Sequence, residues 1–90
     1  MFTVLLCGEC INHETEEEKV LELVAQFKSE ESFHMIADMG YDSILEEFDD
    51  ALEKKYNGFV VDDTIECVKY LPYDYNGSVD LVIDHEFDEN

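Results

Sequence analysis

The chain has 90 residues, with 24 Asp and Glu against 5 Lys and no Arg, and a formal net charge of -19 at pH 7. Without Arg there is no bidentate phosphate clamp, and only Lys19, Lys28, Lys54, Lys55 and Lys69 could reach a phosphate. Direct binding to nucleic acid or to an anionic membrane is therefore not expected. A compact state repels itself at this charge, and a small core does not require it, so the acid is read as serving a strongly basic partner.

Hydrophobic residues make up 46%, with 6 Phe and 5 Tyr, which is too apolar for a disordered acidic tail. The acids run from Glu9 to Glu89 and not in one block. This predicts one folded domain over 1–90 with an acidic exposed surface. The opening MFTVLL is too short to span a membrane and no basic segment precedes it, so the reading is cytoplasmic. Three cysteines, an odd number, predict no disulfide framework.

Phe2 to Cys7 is a continuous apolar run and predicts a buried, central strand. Gly8 to His13 reads as a turn. Thr15 and Glu18 stand at capping-box spacing, and Val20, Leu21, Leu23, Val24 and Phe27 follow with helical period, so a first helix is expected to end near Ser29. Ser32 to Met39 predicts a short second helix stopped by Gly40. Ser43, with Glu46 at the capping-box position, opens a third, whose stripe is Ile44, Leu45, Phe48, Ala51, Leu52 and Tyr56 and whose end is Asn57-Gly58.

From Phe59 the period changes to 2. Phe59 to Val61 begins a strand, Asp62-Asp63 suggests a bulge or break, and Thr64 to Leu71 continues it or forms another. Pro72 to Gly77 is a turn in which Asn76-Gly77 is a hairpin signal, and Ser78 to Phe87 alternates as a last strand. The expected fold is α+β: a small antiparallel sheet, made of the N-terminal strand plus a C-terminal hairpin, with two or three helices packed on one face.

Chemistry-bearing motifs are sparse. Cys7-Gly8-Glu9-Cys10 after a strand resembles a thioredoxin-type redox motif, but the only proline, Pro72, sits in a turn and cannot face it. Cys7, Cys10, His13 and Cys67 have plausible zinc-ligand types without a second close pair. Asp74 to Asp80 starts like a calcium loop and breaks at its glycine, and His85 stands where the bidentate Glu belongs. No catalytic residue, metal or cofactor is assigned, and an enzyme is not expected.

The carboxylates themselves carry the pattern. Few stand at i+4 to a Lys, and helix acids three or four apart lie about 5–6 Å apart at Cβ, a regular ridge. Glu46, Glu47, Asp49, Asp50 and Glu53 form that ridge, and Glu16, Glu17, Asp80, Asp84 and Glu86 extend the candidate partner-binding surface. A basic groove that binds nucleic acid suits such spacing, with salt-sensitive association.

In size, acidity and dispersed carboxylates over an α+β core, the whole chain resembles the small acidic phage-type inhibitors of host defence, the anti-CRISPR and anti-restriction nucleic-acid mimics. The resemblance implies a stoichiometric inhibitor, monomer or homodimer, in the DNA- or RNA-binding channel of a nuclease complex of the infected host cell. The alternative is an acidic adaptor or regulator of a basic protein partner that does not depend on nucleic acid. Acidity from a high-salt habitat fits less well, because the core is rich in large aromatics.

Overall fold

The computed structural model describes residues 2–62 and 64–84. In chain order the elements are β1 (Phe2–Asn12), β2 (Glu17–Phe27), α1 (Glu30–Asp38), a 3-10 turn (Asp42–Ile44), α2 (Leu45–Tyr56), β3 (Phe59–Val61), β4 (Cys67–Tyr70) and β5 (Leu81–Ile83). The chain is an α+β unit whose sheet is mixed and not wholly antiparallel.

The opening strand does not stop at Cys7. It runs on to Asn12, and the turn expected over Gly8 to His13 is displaced toward the C terminus. Asn12 makes that turn: its Oδ1 accepts the N–H groups of Glu14 at 3.0 Å and Thr15 at 3.3 Å. The Glu16 N–H donates to the Asn12 carbonyl at 2.7 Å, and Glu16 takes a left-handed φ of 59°. Thr15, expected to cap a helix, instead accepts the Glu17 N–H within the turn.

The expected first helix is a strand. Leu21, Leu23, Ala25 and Phe27 are buried at alternate positions, while Val20 is 65% exposed. The same residues fit a period of 3.6 or of 2, and local propensity favours the helix. The tertiary ladder decides: β2 pairs antiparallel with β1 along its whole length, from Phe2 opposite Phe27 to Asn12 opposite Glu17.

The other edge of β1 carries both β3 and β4, antiparallel to it. Cys10 faces Val61 and Cys7 faces Cys67, so β1 advances three residues (10 to 7) while its partner advances six (61 to 67). The break expected at Asp62-Asp63 falls within this surplus, with Asp63 itself outside the described residues. Asp62 N–H donates to the Glu9 carbonyl and Glu66 N–H to that of Cys7, both at 2.9 Å, and Ile65 between them is buried. Gly8 is what lets this arch close: a Cβ there would stand 3.0 Å from the Thr64 carbonyl oxygen.

No hairpin joins β4 to β5. β5 lies at the far edge of the sheet, parallel to β2, with Ala25 opposite Leu81 and Phe27 opposite Ile83. Asn76-Gly77 serves a different purpose from the one expected. Tyr75 donates its hydroxyl to the Ser78 carbonyl at 2.8 Å, and a Cβ on Gly77 would collide with that hydroxyl at 2.5 Å. Of the strand expected over Ser78 to Phe87, Leu81–Ile83 is a strand, and residues 85–87 lie outside the described residues.

Ser29 caps α1, accepting the Ser32 N–H at 3.1 Å, with Glu30 and Glu31 in the first turn where the helix dipole favours acids. The third expected helix opens as the 3-10 turn and continues as α2, and no side-chain cap forms at its start. Among the described residues there are thus two α-helices and one 3-10 turn, against the two or three helices expected. Phe33, Ile36, Ile44, Phe48 and Leu52 from these segments join Val4, Leu6, Cys10, Leu23 and Phe27 in one core cluster. Those sheet residues occupy alternate positions and share one face of β1 and β2; Glu9, Val20 and Glu22 on the opposite face are exposed. Among the described residues no helix is long and apolar enough to cross a membrane.

The strand register has a direct test in urea denaturation. Leu23→Ala should lower unfolding free energy by about 2–5 kcal/mol. Val20→Ala should stay within about 0.5 kcal/mol. A helix over these residues would bury Val20 with Leu23 and make both changes costly.

Candidate partner-binding surface

The sequence points to carboxylates, and their settings divide them into two kinds. On α2, Glu46, Glu47, Asp50 and Glu53 are exposed. The helix presents them because Phe48, Ala51 and Leu52 turn into the core on the other side. Asp50 and Glu53, with Lys54 and Asn57, line a shallow groove at the C-terminal half of the helix.

Asp49 is different. It is half-buried, and its Oδ1 accepts the Val61 N–H at 2.8 Å, tying α2 to β3. Asp80 is also a structural residue. Its Oδ2 accepts the Val24 N–H at 2.7 Å while its own N–H donates to the Val24 carbonyl at 2.8 Å. The carboxylate thus completes the edge of β2 one residue before β5 begins. The same oxygen accepts Lys55 Nζ at 3.1 Å. For Lys55, burial pulls the pKa down, but the hydrogen bond and charge of Asp80 outweigh it and the net shift is upward. Neither Asp49 nor Asp80 is a free surface charge, as the sequence reading took them to be.

Glu16 sits in the β1–β2 turn and Glu17 opens β2, where it pairs with Lys19 at 3.3 Å. Asn12 Nδ2 donates to the Asn57 carbonyl at 3.4 Å, which sets the C-terminal end of α2 beside this turn. Asp84 is exposed just after β5, and Glu86 lies outside the described residues. The last turn of α2 is therefore the junction of the surface: Asn57 meets the hairpin turn, Lys55 meets Asp80, and Tyr56 donates its hydroxyl to the Glu22 carbonyl at 3.1 Å.

Sequence reasoning offered Glu18 with Glu14, Glu16 and Glu17 as a second acidic surface, but did not bring together a further set. Glu9, Glu18 and Glu22 share the uncovered face of the sheet, because Glu9 stands opposite Val20, between Glu18 and Glu22 on β2. Diagonal neighbours across such a pair are about 7–8 Å apart. A period of 2 through Glu18, Val20, Glu22 and Val24 was the signal for them.

The cysteines do not converge. In β1, Cys7 and Cys10 are three positions apart and point to opposite faces, so neither a redox pair nor a zinc site forms from them. Cys7 and Cys67 face each other across β1 and β4, with Cα atoms 5.2 Å apart, and are joined by a disulfide. That corrects the expectation of no disulfide: the odd count consists of one cross-strand pair and one buried thiol. Cys10 is that thiol; burial raises its pKa, with smaller contributions from Asp49 and Asp62. Among the described residues no group of three or more His, Cys, Asp or Glu is placed to hold a metal.

These assignments can be checked in solution. Under non-reducing conditions at pH 8, iodoacetamide should label no thiol in the native chain and one, Cys10, in denaturant. Because its folded pKa is raised, Cys10 favours the fold up to its ordinary pKa, and that contribution is lost as pH rises through the folded value. For Asp80, Asp80→Ala should cost about 1.5–3 kcal/mol and speed exchange of the Val24 amide. The Lys55 tie should be fully present below the ordinary lysine pKa and lost as pH climbs through the raised one.

No protein-family model matches this chain, and no curated protein or solved structure matches it either.

Proposed function

We propose that the protein is a non-catalytic, stoichiometric inhibitor that acts as a nucleic-acid mimic, its acidic surface occupying the basic DNA- or RNA-binding channel of a host-defence nuclease complex. The observation that supports this reading is the α2 ridge: Glu46, Glu47, Asp50 and Glu53 all face solvent, with acids in the first turn and cations only in the last. Carboxylates at helical spacing present repeated negative charge to a groove built for phosphates, and binding there releases counterions. The excess over what solubility requires, about 2–8 charges for a small domain, favours a recognition role for the acid. The encounter belongs in the cytoplasm of the infected cell, with the inhibitor as monomer or homodimer.

The test is capture of partners from host lysate at low salt, followed by competition with labelled DNA or guide RNA. The expected result is a nucleic-acid-binding complex from which the inhibitor displaces the labelled strand, with affinity falling steeply as salt rises. Capture only of proteins that bind no nucleic acid would replace the mimic by the adaptor reading. Reversal of the ridge by Glu46→Lys, Glu47→Lys, Asp50→Lys and Glu53→Lys together should weaken binding at least tenfold, about 1.4 kcal/mol, with folding intact. Asp49→Lys is expected to behave differently and to lower stability, because it removes the acceptor of the Val61 N–H.

A further inference from the structure

The outer edge of β2 is paired only in part. Its even-numbered residues turn their backbone groups away from β1, as Val24 and Lys28 do in bonding to Asp80 and Ile83. β5 covers Ala25–Phe27, Asp80 covers Val24, and Tyr56 covers the Glu22 carbonyl. Beyond that, among the described residues, no strand pairs with the edge at Glu18 and Val20. Val20 is among the most exposed large hydrophobics, and Glu18 and Glu22 flank it on the same face.

We propose that this edge is a docking site for an extended cationic segment of a protein partner, which adds to the sheet as a strand beside Glu18–Glu22. Backbone pairing supplies the grip, and charge supplies the choice of occupant. An added strand with Lys or Arg at every second position sets those cations on the open face, against Glu18 and Glu22, with Glu9 one strand further in. Lys19 does not compete, because its side chain lies on the other face, paired with Glu17 and over the Phe59 ring. A second copy of this chain is a poor occupant: edge-to-edge pairing would oppose the same glutamates in two chains that each carry -19. The proposal rests on the reading of a basic partner and adds a second point at which that partner is held, separate from the α2 ridge.

The probe is a capped synthetic peptide of four Lys-Val repeats, titrated at low salt into the isotopically labelled full chain and followed by amide NMR. The expected result is that shifts concentrate on Glu17–Glu22 and that the Glu18 and Val20 amides gain protection from exchange. An analogue with N-methyl groups on alternate residues, equal in charge, should bind at least tenfold more weakly. Val20→Pro, which removes an outward N–H and leaves the bonds to β1, should lose the same factor. The ridge reversal on α2 should leave peptide affinity within about threefold. Equal binding by the N-methyl analogue, shifts centred on α2, or no binding overturns the edge site. Those outcomes leave the basic-partner reading to its own test, whereas loss of nucleic-acid competition with the edge result intact overturns only the mimic.

Discussion

The backbone ladder between β1 and β2 is the interaction on which the other elements depend. It is long for so small a chain, and it makes β1 an interior strand with partners on both sides. Its even-numbered residues give the helices an apolar surface to pack against. Its register also fixes where everything else attaches: β3 and β4 to the far side of β1, and β5 to the end of β2. A shift by one residue would turn Leu21, Leu23 and Phe27 to solvent and Val20 and Glu22 inward.

Charge and fold are less separate than composition suggests. Asp49 and Asp80 belong to the architecture: each carboxylate accepts a backbone N–H where regular pairing ends. Asn12, the one buried polar residue among those described, does similar work at the hairpin turn. Part of the exposed acid lies on what these anchors hold in place: the outer side of α2, the turn at Glu16, and the open face of the sheet. Helix and hairpin are tied at Asn57, so the α2 acids and the turn that carries Glu16 are braced against each other.

Much of this was legible in the residues. The apolar run from Phe2, the stripe from Ile44 to Tyr56, the break at Asp62 and the return to a period of 2 all correspond to real features. The main loss was β2. Val20, Leu21, Leu23, Val24 and Phe27 satisfy helix and strand periods alike, and only long-range pairing with Phe2–Asn12 separates them. One further misreading shares that cause. Cys7 and Cys67 are 60 residues apart in sequence and meet only through β1–β4 pairing. Asn76-Gly77 promised a hairpin, but Tyr75 uses Gly77 for room. The site was half visible: the α2 acids could be counted from a helical wheel, but Asp49 and Asp80 could not be told from their neighbours without Val61 and Val24 in place.

The cross-strand bond has a mechanical consequence. When Cys7 and Cys67 are oxidised, β2, both helices and β3 lie inside a closed covalent ring, while β5 with Asp80 lies outside it. A ring of this size restricts the unfolded chain by about 4 kcal/mol in the chain-entropy description. Tension applied at the two ends would pass from Cys7 straight to Cys67 and bypass the ring. Pulling would strip β5, the rest of β4 and the Phe2–Leu6 start of β1 from the sheet, and would leave the acidic helix inside the ring unloaded. In the reduced chain the same pull reaches every strand.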